Sequence, residues 1–271
     1  MIVIVAALYE EVSTLLLRGR FRSAKGPAGL SVYYNHHSVG HVIVDRMVIV
    51  SGAGAEKAKA AADWAIAEHR PEAVISLGFG GACREDIDAG DVVLATEVRR
   101  LEGKPFFWDE KSLGEAVTPG PELLIAARSA AEVASIDFFM GRIISLPTVA
   151  KTAAMKLWLG KVLGAAAVDM ESYYVGQAAA AAGVPFLAVR GIVDIASLEL
   201  PDFVANMDTG PAVKRLRPVA GYLLRTPSEV GSLSRLGRSA FRARKSMAVF
   251  VDELSLEMTG ARTSQVLVVT P

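Results

Sequence analysis

Residues 1–12, MIVIVAALYEEV, run from an unbroken apolar segment straight into two glutamates. Such a run, with no polar alternation, reads as a strand covered on both faces, and the acids after it open a helix. The same grammar recurs along the chain. Met1–Ala7, His41–Ser51, Ala73–Gly78, Asp91–Glu97, Arg142–Leu146, Ala165–Asp169 and Pro185–Ile192 read as buried strands. The stretch Glu10–Leu17 and the Ala-rich stretches Ala55–His69, Gly120–Ala134 and Glu171–Ala182 read as the helices between them. Strands of this kind alternating with helices imply an α/β fold with a mixed or parallel sheet. No repeat or low-complexity linker divides residues 1–208, so one domain is expected there.

Of the 271 residues, 52% are hydrophobic and 21% charged, enough for a sizeable core and too apolar for a disordered chain. The 29 Lys and Arg balance the 29 Asp and Glu, so nothing draws the whole chain to nucleic acid, and no such partner is expected. Cys83 stands alone, which excludes an intrachain disulfide and a cysteine-based zinc cluster. At the edge of a Gly-rich segment it reads as a packing residue rather than a nucleophile. His36, His37, His41 and His69 lack the spacing of a metal site, and neither metal nor cofactor is expected. Glu10 and Glu11 interrupt the leading apolar run before a signal peptide can form. No stretch of about 18 uncharged apolar residues suggests a membrane span. The expectation is a cytoplasmic chain.

The charge balance hides an asymmetry. Residues 209–271 carry ten basic and four acidic side chains, a net of +6, whereas residues 1–208 carry 19 and 25, a net of −6. The boundary near Asp208 therefore separates an α/β domain (1–208) from a basic extension (209–271). Within the extension, Thr226-Pro227-Ser228-Glu229 combines a capping Thr, Pro at the first helical position and Glu three residues after the cap. Val230, Leu233, Leu236, Ala240 and Phe241 then recur at helical spacing, flanked by Arg235, Arg238, Arg242, Arg244 and Lys245. This is an amphipathic basic helix, either docked on the domain or attached to an anionic membrane surface.

Two glycine clusters follow expected strands, Ser51-Gly52-Ala53-Gly54 and Gly78-Phe79-Gly80-Gly81. Glycines there let backbone N–H groups approach a ligand. Lys57 and Cys83 occupy the third glycine positions of G-x-G-x-x-G, so a dinucleotide site is a poor fit. Carboxylates at strand ends say more. Glu10 and Glu11, Asp169 and Glu171, and Asp194 all lie where a strand gives way to a loop or helix, the place of the usual ligand crevice. Partial burial there raises a carboxyl pKa toward the range useful for proton transfer.

The pieces IVAALYEEV (4–12), SGAG (51–54), VISLGFGGA (74–82), AGDVVLATEV (89–98), AVDMES (167–172) and VPFLAVRGIVDIA (184–196) occur in one order along the chain. In that order they resemble the nucleoside phosphorylase superfamily, in particular its methylthioadenosine/S-adenosylhomocysteine nucleosidases. The resemblance implies a single three-layer α/β/α domain around a mixed central sheet. It further implies N-glycosidic cleavage of a purine nucleoside by a homo-oligomer. Carried over by position, Glu11 matches the base that activates the attacking water. Glu171 matches the acid that holds the ribose hydroxyls, and Met170 packs under the sugar. Asp194 matches the acid that protonates purine N7. Gly78, Phe79 and Ala53 from the glycine clusters complete the expected substrate-binding set. Val149 falls where the family usually places an aromatic residue against the base, a departure that weakens stacking there.

These residue types suit the reaction. Breaking the bond puts positive charge on the ribosyl ring and negative charge on the purine, and carboxylates at the sugar with an acid at the base stabilise both. A base opposite the leaving group orients water, as in inverting glycosidases. Phosphorolytic relatives carry an Arg and a Ser or Thr around the second glycine cluster, where this chain offers Ser76 and Phe79. Hydrolysis is therefore favoured over phosphorolysis, and a non-catalytic purine- or lipid-binding protein is the reading from a different class. AVDMES, in place of the more usual VEMEA, and the basic tail also resemble the hopanoid-associated phosphorylase-like proteins. These are proposed to remove adenine from adenosylhopane. A lipid-linked substrate, an entrance at Phe106-Phe107-Trp108 and a peripheral position at the inner membrane face are the corresponding expectations.

Overall fold

The computed structural model describes residues 1–39, 42–103, 108–200 and 230–259. In chain order the elements are β1 (Ile2–Ala6), α1 (Tyr9–Arg18), β2 (Arg22–Ala24), β3 (Ser31–Val39), β4 (Val42–Val50) and α2 (Ala55–His69). Then come β5 (Ala73–Ala82), β6 (Val92–Arg100), α3 (Pro121–Val133), β7 (Phe138–Ser145) and α4 (Ala153–Leu163). They end with β8 (Ala165–Asp169), α5 (Ser172–Ala181), β9 (Phe186–Asp194) and α6 (Val230–Glu257). Every expected strand and helix of residues 1–208 is present. The fold adds the β2–β3 antiparallel pair at one edge and the helix α4.

The strands form one mixed sheet. β1 lies between β4 and β5, parallel to both, and β5 continues parallel to β9. β9 pairs antiparallel with β6, β6 and β7 are parallel, and so are β7 and β8. The far end of β5, Gly81 and Ala82, pairs antiparallel with β8. That last pairing closes β5, β9, β6, β7 and β8 into a circuit, with a register shift at Gly80/Gly81 where β5 turns from one partner to the other.

Because strand side chains alternate faces, β1 feeds two cores. Val3 and Val5 pack with Ala58, Ala61, Ala62 and Ala65 of α2 and with Val175, Ala178 and Ala179 of α5. Ile2, Ile4 and Ala6 pack with Val12, Leu15 and Leu16 of α1, Leu123 and Ala127 of α3, and Met247, Phe250 and Leu254 of α6. This is the three-layer α/β/α arrangement. A smaller third cluster joins α4 to β7 and β8, and includes Trp108 beside Leu101, Ile144 and Leu159. Trp108 is thus a packing residue and not part of an entrance; Phe106 and Phe107 lie outside the described residues.

The proposed helix start at Thr226–Glu229 also lies outside the described residues, but α6 itself is built into the second core. Its buried face is Ser239, Ala243, Met247, Phe250, Val251 and Leu254, at helical spacing. The stripe expected from sequence is therefore out of phase: Phe241 is 56% exposed, with the Arg244 guanidinium 5.0 Å from its ring centroid. An ion pair fixes the rotation. Arg46 of β4, fully buried, donates to Asp252 Oδ1 at 2.7 Å, and Arg18 reaches Asp252 Oδ2 at 3.3 Å. Arg235, Arg238, Arg242 and Lys245 remain exposed on the other side.

Candidate active site

The glycines of β5 mark where chemistry-bearing side chains cross the strand. A Cβ on Gly78 would lie 2.8 Å from Glu11 Oε1. On Gly80 it would meet Arg190 Cβ at 3.1 Å, and on Gly81 both carboxylate oxygens of Asp194 at 3.0 Å. The cluster expected to present backbone N–H groups to a ligand instead makes room for three side chains.

Glu11 occupies the third position of α1, so its side chain can reach back over the helix start. Oε2 accepts from the Leu8 N–H at 2.7 Å and Oε1 from the Phe79 N–H at 2.9 Å. Burial raises its pKa, against the lowering effect of those two N–H groups and of Arg190. Glu171 stands just before α5 and accepts the Gly54 N–H at 2.9 Å. That N–H opens α2, where Gly54 adopts φ 112°, a conformation suited to glycine. Burial, then the negative charges of Asp169 and Glu11, push Glu171 up to about 7. Near neutrality it is therefore a mixture of acid and carboxylate.

Beneath these acids lies a buried frame. Arg190 donates to Asp169 Oδ2 through Nε at 2.8 Å and Nη2 at 2.5 Å. It also donates to the Ser76 carbonyl and hydroxyl, both at 2.9 Å. Asp169 accepts from Ser145 Oγ at 2.6 Å and from the Ser172 N–H at 2.9 Å. A fully partnered pair of this kind holds charge in the interior without an orphaned group. Glu11, Glu171, Ser76, Gly78 and Arg190 line a small cavity walled by Ala6, Ala58 and Val175 among others.

Asp194 sits at the end of β9 over Gly81. Its Oδ2 accepts from Lys156 Nζ at 2.6 Å, and the same ammonium donates to the Ile195 carbonyl at 2.7 Å. Burial raises the pKa of Asp194 and Lys156 opposes the rise.

The structure thus brings Glu11, Glu171 and Gly78 to one cavity, with the Phe79 N–H on Glu11 and with Asp194, at the end of β9, beside Gly81 further along β5. Ala53 and Met170 are half-buried neighbours of Gly54 and Glu171, and Val149 is half-buried in the loop before α4; none of the three lines that cavity. Sequence reasoning missed the roles of Arg190 and Lys156. A charge inside the apolar run FLAVRGIVD signals a buried partner, and Lys156 shares the i, i+3, i+7 buried face of Leu159 and Leu163.

The sequence model of the phosphorylase superfamily matches residues 2–216. The chain belongs to the phosphorylase superfamily. Among its relatives are two proteins named 5′-methylthioadenosine/S-adenosylhomocysteine nucleosidase. That of Chromohalobacter salexigens is 28% identical over 214 residues, covering 73% of this chain and 86% of the relative. That of Bacillus cytotoxicus is 29% identical over 210 residues, covering 73% and 87%. The fold is shared with the Neisseria meningitidis nucleosidase of the same name, solved with methylthio-immucillin-A (TM-score 0.69, 19% identity, 93% of this chain and 97% of that one). It is shared also with the futalosine hydrolase of Helicobacter pylori (TM-score 0.68, 20% identity, 93% and 97%). The six sequence pieces and the superfamily match thus agree, and Glu11, Glu171 and Asp194 stand within the matched residues of this superfamily member.

Proposed function

We propose that this superfamily member is a purine nucleosidase, hydrolysing the bond between ribose C1′ and purine N9. One observation carries the reading: Glu11 and Asp194 meet β5 at Gly78 and Gly81, three residues apart, which along a strand is about 10 Å. That separation leaves room for a nucleoside with a water on one side of C1′ and an acid on the other. Glu11 takes a proton from water as it attacks C1′. Glu171 binds the ribose hydroxyls, a contact that strengthens as the ring becomes cationic. Asp194 delivers a proton to N7 as the purine leaves.

Water rather than phosphate as nucleophile is supported by the occupied donors. The Phe79 N–H donates to Glu11, and the Arg190 guanidinium donates to Asp169 and to the Ser76 carbonyl and hydroxyl oxygens. Among the described residues that line the cavity, a phosphate dianion would meet two carboxylates and, as its one cation, the committed Arg190. For the 5′ substituent we put a hopane chain first. Its supports are the AVDMES resemblance and the outer face of α6, where Arg235, Arg238, Arg242 and Lys245 surround exposed Phe241. The same reading places the chain in the cytoplasm, peripheral to the membrane through that face, and as a homo-oligomer.

The test is product identification after incubation with adenosylhopane, 5′-methylthioadenosine, adenosine and inosine, each with and without phosphate. Free purine and ribose-type product without phosphate are expected, with adenosylhopane cleaved fastest. Release only with phosphate would make the chain a phosphorylase, and tight binding with no release a binder.

A further inference from the structure

The acid at the purine is not alone. We infer that Lys156 is a positioning residue for the leaving-group step, holding Asp194 in place and replenishing through it the proton passed to N7. This rests on the purine-nucleoside reading above, and it concerns a residue that neither the resemblance nor the glycine and carboxylate motifs point to.

Three observations carry it. Lys156 is fully buried, though Lys161 on the same helix is exposed and Lys151 in the loop before it is half-buried. A lysine is placed in an interior only against groups that compensate its charge. Its ammonium spans Asp194 Oδ2 at 2.6 Å and the Ile195 carbonyl at 2.7 Å, so it grips both the carboxylate and the backbone that carries it. On the other side Gly81 gives Asp194 its space, since a Cβ there would press on both carboxylate oxygens at 3.0 Å. Asp194 is thus confined between strand and lysine. Cys83 is the third titratable group here. Burial pushes its thiol up to about 12, so it stays neutral and takes no part in the exchange.

The C1′–N9 electron pair passes into the purine, and a proton from the Lys156–Asp194 pair passes to N7 through the aspartate. The pair begins as ammonium and carboxylate and ends as amine and carboxylate. Water attacking C1′ gives its proton to Glu11. After the products leave, Glu11 releases that proton to solvent and Lys156 takes one back.

The experiment compares Lys156→Gln with the wild-type chain on a nucleoside that the panel shows to be cleaved and on its N7-methylated form. Methylation puts on the purine the positive charge that protonation would supply, so that substrate has no need of the acid. Lys156→Gln keeps a donor toward Asp194 but neither charge nor spare proton. Loss of roughly 10²-fold or more on the ordinary nucleoside is expected, the range of positioned acid–base groups. On the methylated one a loss of no more than about tenfold is expected. Equal losses on both, or no loss on either, would overturn the inference. A second comparison covers a variant that folds poorly. The charge-neutral double variant Lys156→Met/Asp194→Asn should be no slower on the ordinary nucleoside than Asp194→Asn alone, because members of one unit are not additive. A further loss of tenfold or more in the double would show that Lys156 acts apart from Asp194.

Discussion

Replacing Gly78 by Ala should disable Glu11 without touching it chemically. The added methyl would stand 2.8 Å from Glu11 Oε1 and 3.2 Å from Cδ, where ordinary contact begins near 3.4 Å. The carboxylate must retreat by about 0.6 Å, and that movement stretches its 2.9 Å bond from the Phe79 N–H past useful length. A hydrogen bond to a charged group contributes about 1.5–3 kcal/mol. If the base loses that much of its positioning in the transition state, turnover falls roughly 10–10²-fold. The assay is steady-state release of purine by wild type and Gly78→Ala, with thermal unfolding of both as a check on folding. Gly183→Ala, strained at φ 66° but with nothing within 4 Å of the added methyl, is the comparison for a glycine remote from the acids. Undiminished turnover by folded Gly78→Ala would refute the reasoning that this glycine exists to seat Glu11.

Other consequences can be measured alongside. Asp252→Ala leaves the fully buried Arg46 without its carboxylate and should cost about 3 kcal/mol, the lower end for a broken buried pair because Asp252 is itself partly exposed. That corresponds to a fall in Tm of roughly 6–12 °C, which a thermal melt reads, and adding Arg46→Met should recover much of it. With Glu171 at about 7, kcat/KM should rise with pH through that value as the carboxylate forms, and Glu171→Gln should remove the rise. Since its folded pKa lies above the ordinary 4.5, this group's contribution to stability is full below about 4.5. It is lost as pH rises through about 7, a slope that Glu171→Gln should also abolish in denaturation at several pH values. Vesicle sedimentation should find more protein on anionic than on neutral lipid, with salt weakening the association. Equal partition at low salt would remove the membrane role of α6.

The sheet was legible because its inner strands are largely apolar runs, broken only by such charges as Arg46 and Arg190, and most of the helices because they are Ala-rich. β3 was not, since next to the short edge strand β2 it reads SVYYNHHSV and carries polar residues that a strand buried on both faces would exclude. α4 was hidden by a glycine within it. A Cβ at Gly160 would fall 2.0 Å from the Cys83 carbonyl oxygen, so the residue answers a close approach of helix to strand and not a turn. The three acids could be found from their places at strand ends. Their partners could not, because Asp169 with Arg190 and Lys156 with Asp194 are separated by 21 and 38 residues and obey no local period. The phase of α6 escaped for a similar reason: apolar residues lie on both of its sides, and the choice between them is made by packing on α1, α3 and β9 and by Arg46.

The central claim is that water, activated at Glu11, displaces the purine. Cleavage in H₂¹⁸O with the full chain and a nucleoside of the panel, followed by mass analysis of the sugar product formed in a single turnover, tests it most directly. One ¹⁸O bound at C1′ is expected with or without phosphate present, and the Glu11→Gln variant should form that product at least about 10²-fold more slowly. A sugar 1-phosphate with no ¹⁸O at C1′, or labelled sugar made at the full rate by Glu11→Gln, would contradict it.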